Sequence, residues 1–119
     1  MSPSQLMLVA LVFVHLIGDY PLQGDFLAKA KHHKAPVAGV PWLVALASHA
    51  GIHAGLVAVT TGSPALSVLE FGFHGVIDFA KNEGWLGAGE QAYTLDQVLH
   101  VVCKIMWTLL LMKFPTELR

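Results

Sequence analysis

A chain of 119 residues, 55 % hydrophobic and only 13 % charged, suits one domain over 1–119 and is more apolar than soluble domains, which carry about 25 % charged residues. Seven Lys plus Arg against eight Asp plus Glu leave a formal net charge of −1. That balance argues against nucleic acid, which calls for clustered cations to neutralise phosphates. Cys103 is the only cysteine, so no disulfide forms within the chain, and the opening MSPSQ lacks a basic n-region, so no cleaved signal peptide is expected.

Four low-charge stretches follow in order. The first covers roughly residues 4–22, SQLMLVALVFVHLIGDYPL. A basic loop, QGDFLAKAKHHKAP, leads to the second, roughly 40–60, VPWLVALASHAGIHAGLVAVT. The very short TTGSP connects it to the third, roughly 64–81, PALSVLEFGFHGVIDFAK, which makes these two helices antiparallel neighbours. A Gly-rich loop, NEGWLGAGEQAY, precedes the fourth, roughly 94–113, TLDQVLHVVCKIMWTLLLMK. Pro41 and Pro64 suit first helical turns, Ser63 and Thr94 suit N-caps, and Pro115 ends the last helix. Each stretch is close to the roughly 20 residues that cross a bilayer. A strongly oligomerising soluble bundle has a similar composition, but the second and fourth helices are apolar nearly all round, which suits lipid better. The expected fold is all-α, a four-helix transmembrane bundle, up-down-up-down, with a buried His/Asp cluster.

That cluster follows from a four-residue spacing repeated in every helix. The pairs are His15 and Asp19, with Gln23 continuing the row; His49 and His53; Glu70, His74 and Asp78; and Asp96, His100 and Lys104. Residues four apart share one helix face, and ionisable faces turn away from lipid. In an up-down-up-down bundle the stripes also agree in depth, toward the end that carries the 24–40 and 82–94 loops. A lone buried His is more often a hydrogen-bonded core residue than a ligand, but four stripes at one depth favour a shared site.

Converging imidazoles and carboxylates suit a divalent metal, zinc first, with manganese or iron as alternatives. The ligand pool is His15, Asp19, His49, His53, His74, Asp78 and His100, with Asp96 or Glu70 as the general base or as an acceptor orienting a ligand. The excess of candidates means either two metals or some residues in supporting positions. Lys104 serves as partner for a carboxylate or snorkels. Cys103 reads as packing, His32 and His33 as solvated. Trp42, Trp85, Trp107, Tyr20 and Tyr93 mostly fall near segment ends, as interfacial aromatics do.

The blocks HLIGDYPLQGDFLAKAKHH, SHAGIHAG, FHGVIDFAKN and LDQVLH resemble those of the domain of unknown function 3307 family, from about His15 to His100. The resemblance implies a small bacterial or phage-encoded membrane protein. It maps the family's pattern onto His15, Asp19, Gln23, His49, His74, Asp78, Asp96, Gln97 and His100. The family's D-Y-x-K reads DFAK here, which leaves Asp78 and Lys81 in place. The layout is more distantly similar to membrane-embedded metal-dependent hydrolases.

Lys29, Lys31, Lys34 and Lys81 lie on the loop side of the cluster, so the positive-inside rule puts that side in the cytoplasm, in the inner (plasma) membrane. Three functions are compatible with these residues. The first is a metal-dependent hydrolase acting on a lipid or lipid-linked substrate such as a phosphate head group. The second is a metal or proton transporter, disfavoured because the half away from the cluster is nearly all apolar. The third is a metal-stapled structural protein that binds a protein partner through the 24–40 loop. Self-association into a homo-oligomer is compatible with each.

Overall fold

A computed structural model describes residues 1–119 and is all-helical, with five helices and no strand. Helix α1 spans Pro3–Asp19. Ser2 opens it with a capping box, its hydroxyl accepting from the Gln5 amide while the Gln5 side chain accepts from the Ser2 amide. Helix α2, Gly24–Ala30, follows at 83° to α1. Helix α3 spans Trp42–Thr61 and stops at Gly62, whose φ of 69° is a left-handed conformation that favours glycine. Helix α4 spans Pro64–Asn82, capped by the Ser63 hydroxyl, and α5 spans Gly89–Lys113.

Two local expectations are corrected here. The 24–40 stretch is not all loop, because α2 occupies its first part. Gly24, at φ 63°, gives the tight reversal that α1 needs before the chain turns helical again. The fourth helix does not start from Thr94 but at Gly89. Gly84, Gly87 and Gly89 make the turn at positive φ, and Glu90, Gln91 and Ala92 then extend the helix as good helix formers.

The four long helices pack in a ring, α1 on α3 and α5, and α4 on α3 and α5. Contacts give each pair an antiparallel sense. His49 meets His74 while Ala54 meets Ser67, and His15 meets Gln97 while Leu11 meets Trp107. The interior divides along the ring axis. One half is an apolar core of Leu11, Val57, Leu66, Cys103, Trp107 and Leu111. The other half is filled by buried His15, His49, His53, His74, Asp78, Asp96 and His100. The outer surface is apolar, with Leu6, Phe13, Val44, Val59, Val68, Val76, Leu109 and Met112 exposed. Such a distribution inverts that of a water-soluble protein, which buries charge only rarely.

Two helices, α3 and α5, are long and apolar enough to cross a membrane. Helix α1 has 17 residues and reaches that standard only together with α2, across their bend. Helix α4 does not reach it, because Glu70, Asp78 and Lys81 dilute its apolar face. Trp107, grouped from sequence with the interfacial aromatics, lies instead in the core at 1 % exposure, since its indole N–H has a buried acceptor.

Candidate metal centre

Asp19, at the last turn of α1, reaches across the ring. Its Oδ1 lies 3.0 Å from His53 Nε2, 3.3 Å from His49 Nε2 and 3.9 Å from His74 Nε2. His49 Nε2 and His74 Nε2 are 3.1 Å apart. Asp19, His49, His53 and His74 therefore form one group whose donor atoms surround a common point. The other oxygen of Asp19 accepts from Gln97 Nε2 at 2.8 Å and lies 3.3 Å from His15 Nε2.

A second group forms on α4 and α5. His100 Nε2 lies 3.2 Å from Asp78 Oδ1 and 3.3 Å from Asp96 Oδ1. Asp78 Oδ2 faces the first group, 3.4 Å from His49 Nε2 and 3.6 Å from His74 Nε2. His15, His74 and His100 make a third set between the two. His74 stacks on His53 at 3.7 Å and on His100 at 4.1 Å between ring centroids.

These spacings fit a metal. Zinc bonds to His nitrogen and carboxylate oxygen run about 2.0–2.2 Å, so two ligands of one ion sit roughly 3–3.5 Å apart. Hydrogen bonding accounts for His49 with His74 and His100 with Asp78, but not for every contact. His53 Nε2 and Asp96 Oδ1 are buried without a hydrogen bond although each has an opposite partner within 3.3 Å, because neither pair is aligned for one. Donor atoms this close could share a cation.

Glu70 has a different place. Its Oε1 accepts from Lys104 Nζ at 2.5 Å, its Oε2 accepts from Trp107 Nε1 at 2.7 Å, and His74 Nδ1 lies 3.3 Å from Oε1. Both oxygens are thus engaged, and the carboxylate holds the outer nitrogen of His74 so that Nε2 points into the cluster. Carboxylates commonly orient metal-binding imidazoles in this way. Lys104 is the carboxylate partner, not a snorkelling side chain, and is buried. Gln23 does not continue the α1 stripe, because the helix ends at Asp19. It stands at the N-cap position of α2 without a side-chain capping bond and donates from Nε2 to the Asp19 carbonyl at 3.0 Å.

Three contributors escape a reading by helical spacing. Lys31 follows α2, yet its Nζ donates to Asp78 Oδ2 at 2.6 Å and its side chain is buried. Gln97 bridges Asp19 and Asp96 through Nε2, and only the family blocks drew attention to it. Gly18 gives His53 its place, since a Cβ there would stand 2.5 Å from His53 Cε1. His32 is half-buried and His33 exposed, the latter paired with Glu83 at 2.5 Å, outside the cluster.

A small polar vestibule opens onto the carboxylates. It has a volume of about 60 Å³, with Tyr20, Gln23, Lys31, Lys81 and Tyr93 around Asp19, Asp78 and Asp96. A wider cavity of about 430 Å³ adjoins it and shares Gln23, Lys31, Lys81 and Tyr93. The Tyr20 and Tyr93 hydroxyls meet at the rim.

Fold and site define an all-helical protein built round a buried His–Asp cluster that could hold a metal ion. More particularly, the family described as "Protein of unknown function (DUF3307)" matches residues 7–118, nearly the whole chain, and the protein belongs to it. No curated protein and no solved structure matches the chain.

Proposed function

We propose that this is a multi-pass membrane protein that binds a divalent metal in its His/Asp cluster, zinc foremost, and hydrolyses a lipid or lipid-linked substrate there. The observation that carries the reading is Asp19, whose Oδ1 lies within 3.9 Å of three imidazole nitrogens contributed by two other helices. In this reading the four long helices form an up-down-up-down transmembrane bundle. The apolar exterior of α4 and its inward charges support that placement.

A bound divalent ion lowers the pKa of a bound water to about 7 and polarises a substrate oxygen. His49, His53 and His74 with Asp19 would hold the ion, which would take the water as a further ligand. Asp96, whose Oδ1 makes no hydrogen bond, acts as general base. Glu70 positions His74 and is not free to accept a substrate proton. The vestibule admits substrate at the end of the bundle that holds the 24–40 and 82–94 loops. With Lys31 buried against Asp78, the positive-inside bias of that end rests on Lys29, Lys34 and Lys81, and supports a cytoplasmic side at the inner membrane.

Conduction is less well supported. An ion path continues through a bundle, whereas the half beyond the cluster is filled by Leu11, Val57, Leu66, Trp107 and Leu111. The test is elemental analysis of detergent-purified protein beside His74→Ala and Asp78→Ala. Stoichiometric metal that both variants lose supports the centre, and ester or phosphoester turnover lost with it supports hydrolysis. Metal-free wild type, purified without chelator, overturns the reading.

A further inference from the structure

We infer that the cluster holds two divalent ions sharing Asp78, and that its substrate is a phosphate ester admitted through the vestibule. This rests on the metal-hydrolase reading above and adds the metal count and the substrate class. Asp78 is divided between the two groups of ligands. Its Oδ1 lies 3.2 Å from His100 Nε2, and its Oδ2 lies 3.4 Å from His49 Nε2 and 3.6 Å from His74 Nε2. A carboxylate that presents one oxygen to each of two imidazole sets is a bridging ligand. The donor supply agrees, because a single tetrahedral ion takes about four ligands. Asp19, His49, His53 and His74 already meet that number, so the first ion becomes five-coordinate with Asp78 Oδ2, and Asp96 and His100 are left over for a second ion. Asp78, Asp96 and His100 then hold a second ion, with His15 between the two sets. Asp19, Asp78 and Asp96 line the vestibule, two of the second ion's three ligands against one of the first ion's own four, so the second ion is the nearer to substrate.

Charge decides the substrate class. Glu70 and Lys104 neutralise each other at 2.5 Å. Four positive charges from two ions, with Lys31 and Lys81, then face only the three carboxylates of Asp19, Asp78 and Asp96. Of that surplus of three positive charges only the Lys81 ammonium reaches solvent, and the rest lies among apolar helices, where uncompensated charge is costly. A hydroxide and a phosphate-monoester dianion cancel it, whereas a neutral ester or amide leaves most of it standing. Lys81 is placed to receive the phosphate. Its side chain is 31 % exposed, lies 3.4 Å from Asp96 Oδ2, and lines both the vestibule and the outer cavity. When Asp96 turns to an ion, Lys81 is freed toward the incoming anion. Two-metal sites clamp the attacking and leaving oxygens of such a displacement. The oxygen of one water bonds to phosphorus, and the bond from phosphorus to the alcohol oxygen breaks with its electron pair on that oxygen. Asp96 relays the water's proton out through the vestibule as the hydroxide forms, and the alcohol oxygen takes a proton from solvent by the same path. The products are the alcohol and inorganic phosphate, with no oxidant or reductant consumed.

The experiment uses the full chain in detergent, loaded with Mn(II) or Zn(II). Metal per chain is counted, manganese spin coupling is read by electron paramagnetic resonance, and inorganic phosphate is titrated calorimetrically. Wild type should hold two coupled ions and bind phosphate. Asp96→Asn and His100→Gln, checked for helical content, should each hold one ion, uncoupled. Lys81→Gln should keep both ions and weaken phosphate binding tenfold or more. A single ion in wild type, undiminished in Asp96→Asn and His100→Gln, overturns the two-ion centre while leaving the hydrolase reading intact. Two ions without phosphate affinity overturn the substrate class alone. No ion at all overturns this inference and the hydrolase reading together. Phosphatidic acid in mixed micelles and soluble glycerol 3-phosphate then separate the sources. Phosphate released from the first identifies a lipid head group, release from the second a soluble ester, and release from neither overturns the assignment.

Discussion

Lys31 Nζ lies 2.6 Å from Asp78 Oδ2, with both side chains almost wholly buried. The lysine comes from the turn after α2 and the aspartate from the last turns of α4. The pair ties the segment after the first long helix to the centre of the cluster and neutralises a carboxylate that faces three imidazoles.

Removing one partner of a buried pair strands the other charge, at a cost of about 3–5 kcal/mol. Lys31→Met should therefore lower the thermal midpoint of the metal-free protein strongly. Added Zn(II) should recover most of the loss, because the ion replaces the ammonium as the counter-charge of Asp78. Thermal unfolding in detergent with and without metal checks both parts. A midpoint equally low in saturating metal contradicts the role given to Lys31.

Glu70→Gln leaves His74 Nδ1 without its carboxylate and Lys104 without its anion. Loss of an orienting carboxylate typically lowers metal affinity about 10–100-fold. A chelator competition titration should show that loss with the stoichiometry unchanged. The double variant Glu70→Leu with Lys104→Met should regain thermal stability relative to Glu70→Gln while keeping the weak affinity, since apolar replacement of a whole buried pair is tolerated. Affinity at the wild-type level in Glu70→Gln would remove Glu70 from the site.

Gly18→Ala introduces a Cβ 2.5 Å from His53 Cε1, and the imidazole must move. Alanine is otherwise the better helix former. The expected outcome is a helix of unchanged content with metal affinity reduced by the same factor as in His53→Ala. Combining the two substitutions should add nothing, because both act on one ligand. Additive losses would mean that Gly18 acts elsewhere.

At the loop end, the hydrogen bond with His33 is the main cause that holds the Glu83 carboxyl below its ordinary value, against desolvation, and Lys34 assists. A depressed folded pKa gives stability that is present above the unfolded value, near 4.3. That stability is lost as pH falls through the folded value. His33 also packs on Trp42 at 4.7 Å between centroids. Acidification below about pH 4 should therefore shift Trp42 emission as the 31–40 segment loosens, and Glu83→Gln should abolish the step. A step of equal size in the variant would assign it to another group.

Chelation should change the stability of the metal-loaded protein in a defined direction. Donor atoms from four helices converge on the cluster, so a cation bound among them would cross-link those helices. Adding a strong chelator to metal-loaded protein should lower the thermal midpoint, and re-addition of Zn(II) should restore it, as expected when binding energy contributes to folding. An unchanged midpoint with demonstrated metal loss would make the centre energetically independent of the fold.

The candidate site was legible in the chain to the extent that helical geometry is local. His15 with Asp19, Glu70 with His74 and Asp78, and Asp96 with His100 had to share faces once their segments became helices, since four residues advance a helix by about one turn. The apolar remainder of each stretch then required those faces to meet inside. Family blocks, not spacing, pointed to Gln97. Other features had no period to announce them. Whether Lys31 sits in solvent or against Asp78 depends on the 83° bend after α1, which brings α2 back over the end of the bundle. Which way Glu70 faces depends on Lys104 and Trp107 of a neighbouring helix. Gly18 matters only because His53 of α3 packs on it. The sequence by itself determined the four long helices and which of their His, Asp and Glu residues share a face, because these follow from contacts three or four residues apart. The division of Asp78 between two ligand sets, the burial of Lys31 and the vestibule at the loop end were decided only by tertiary structure, because they join residues that a loop or another helix separates.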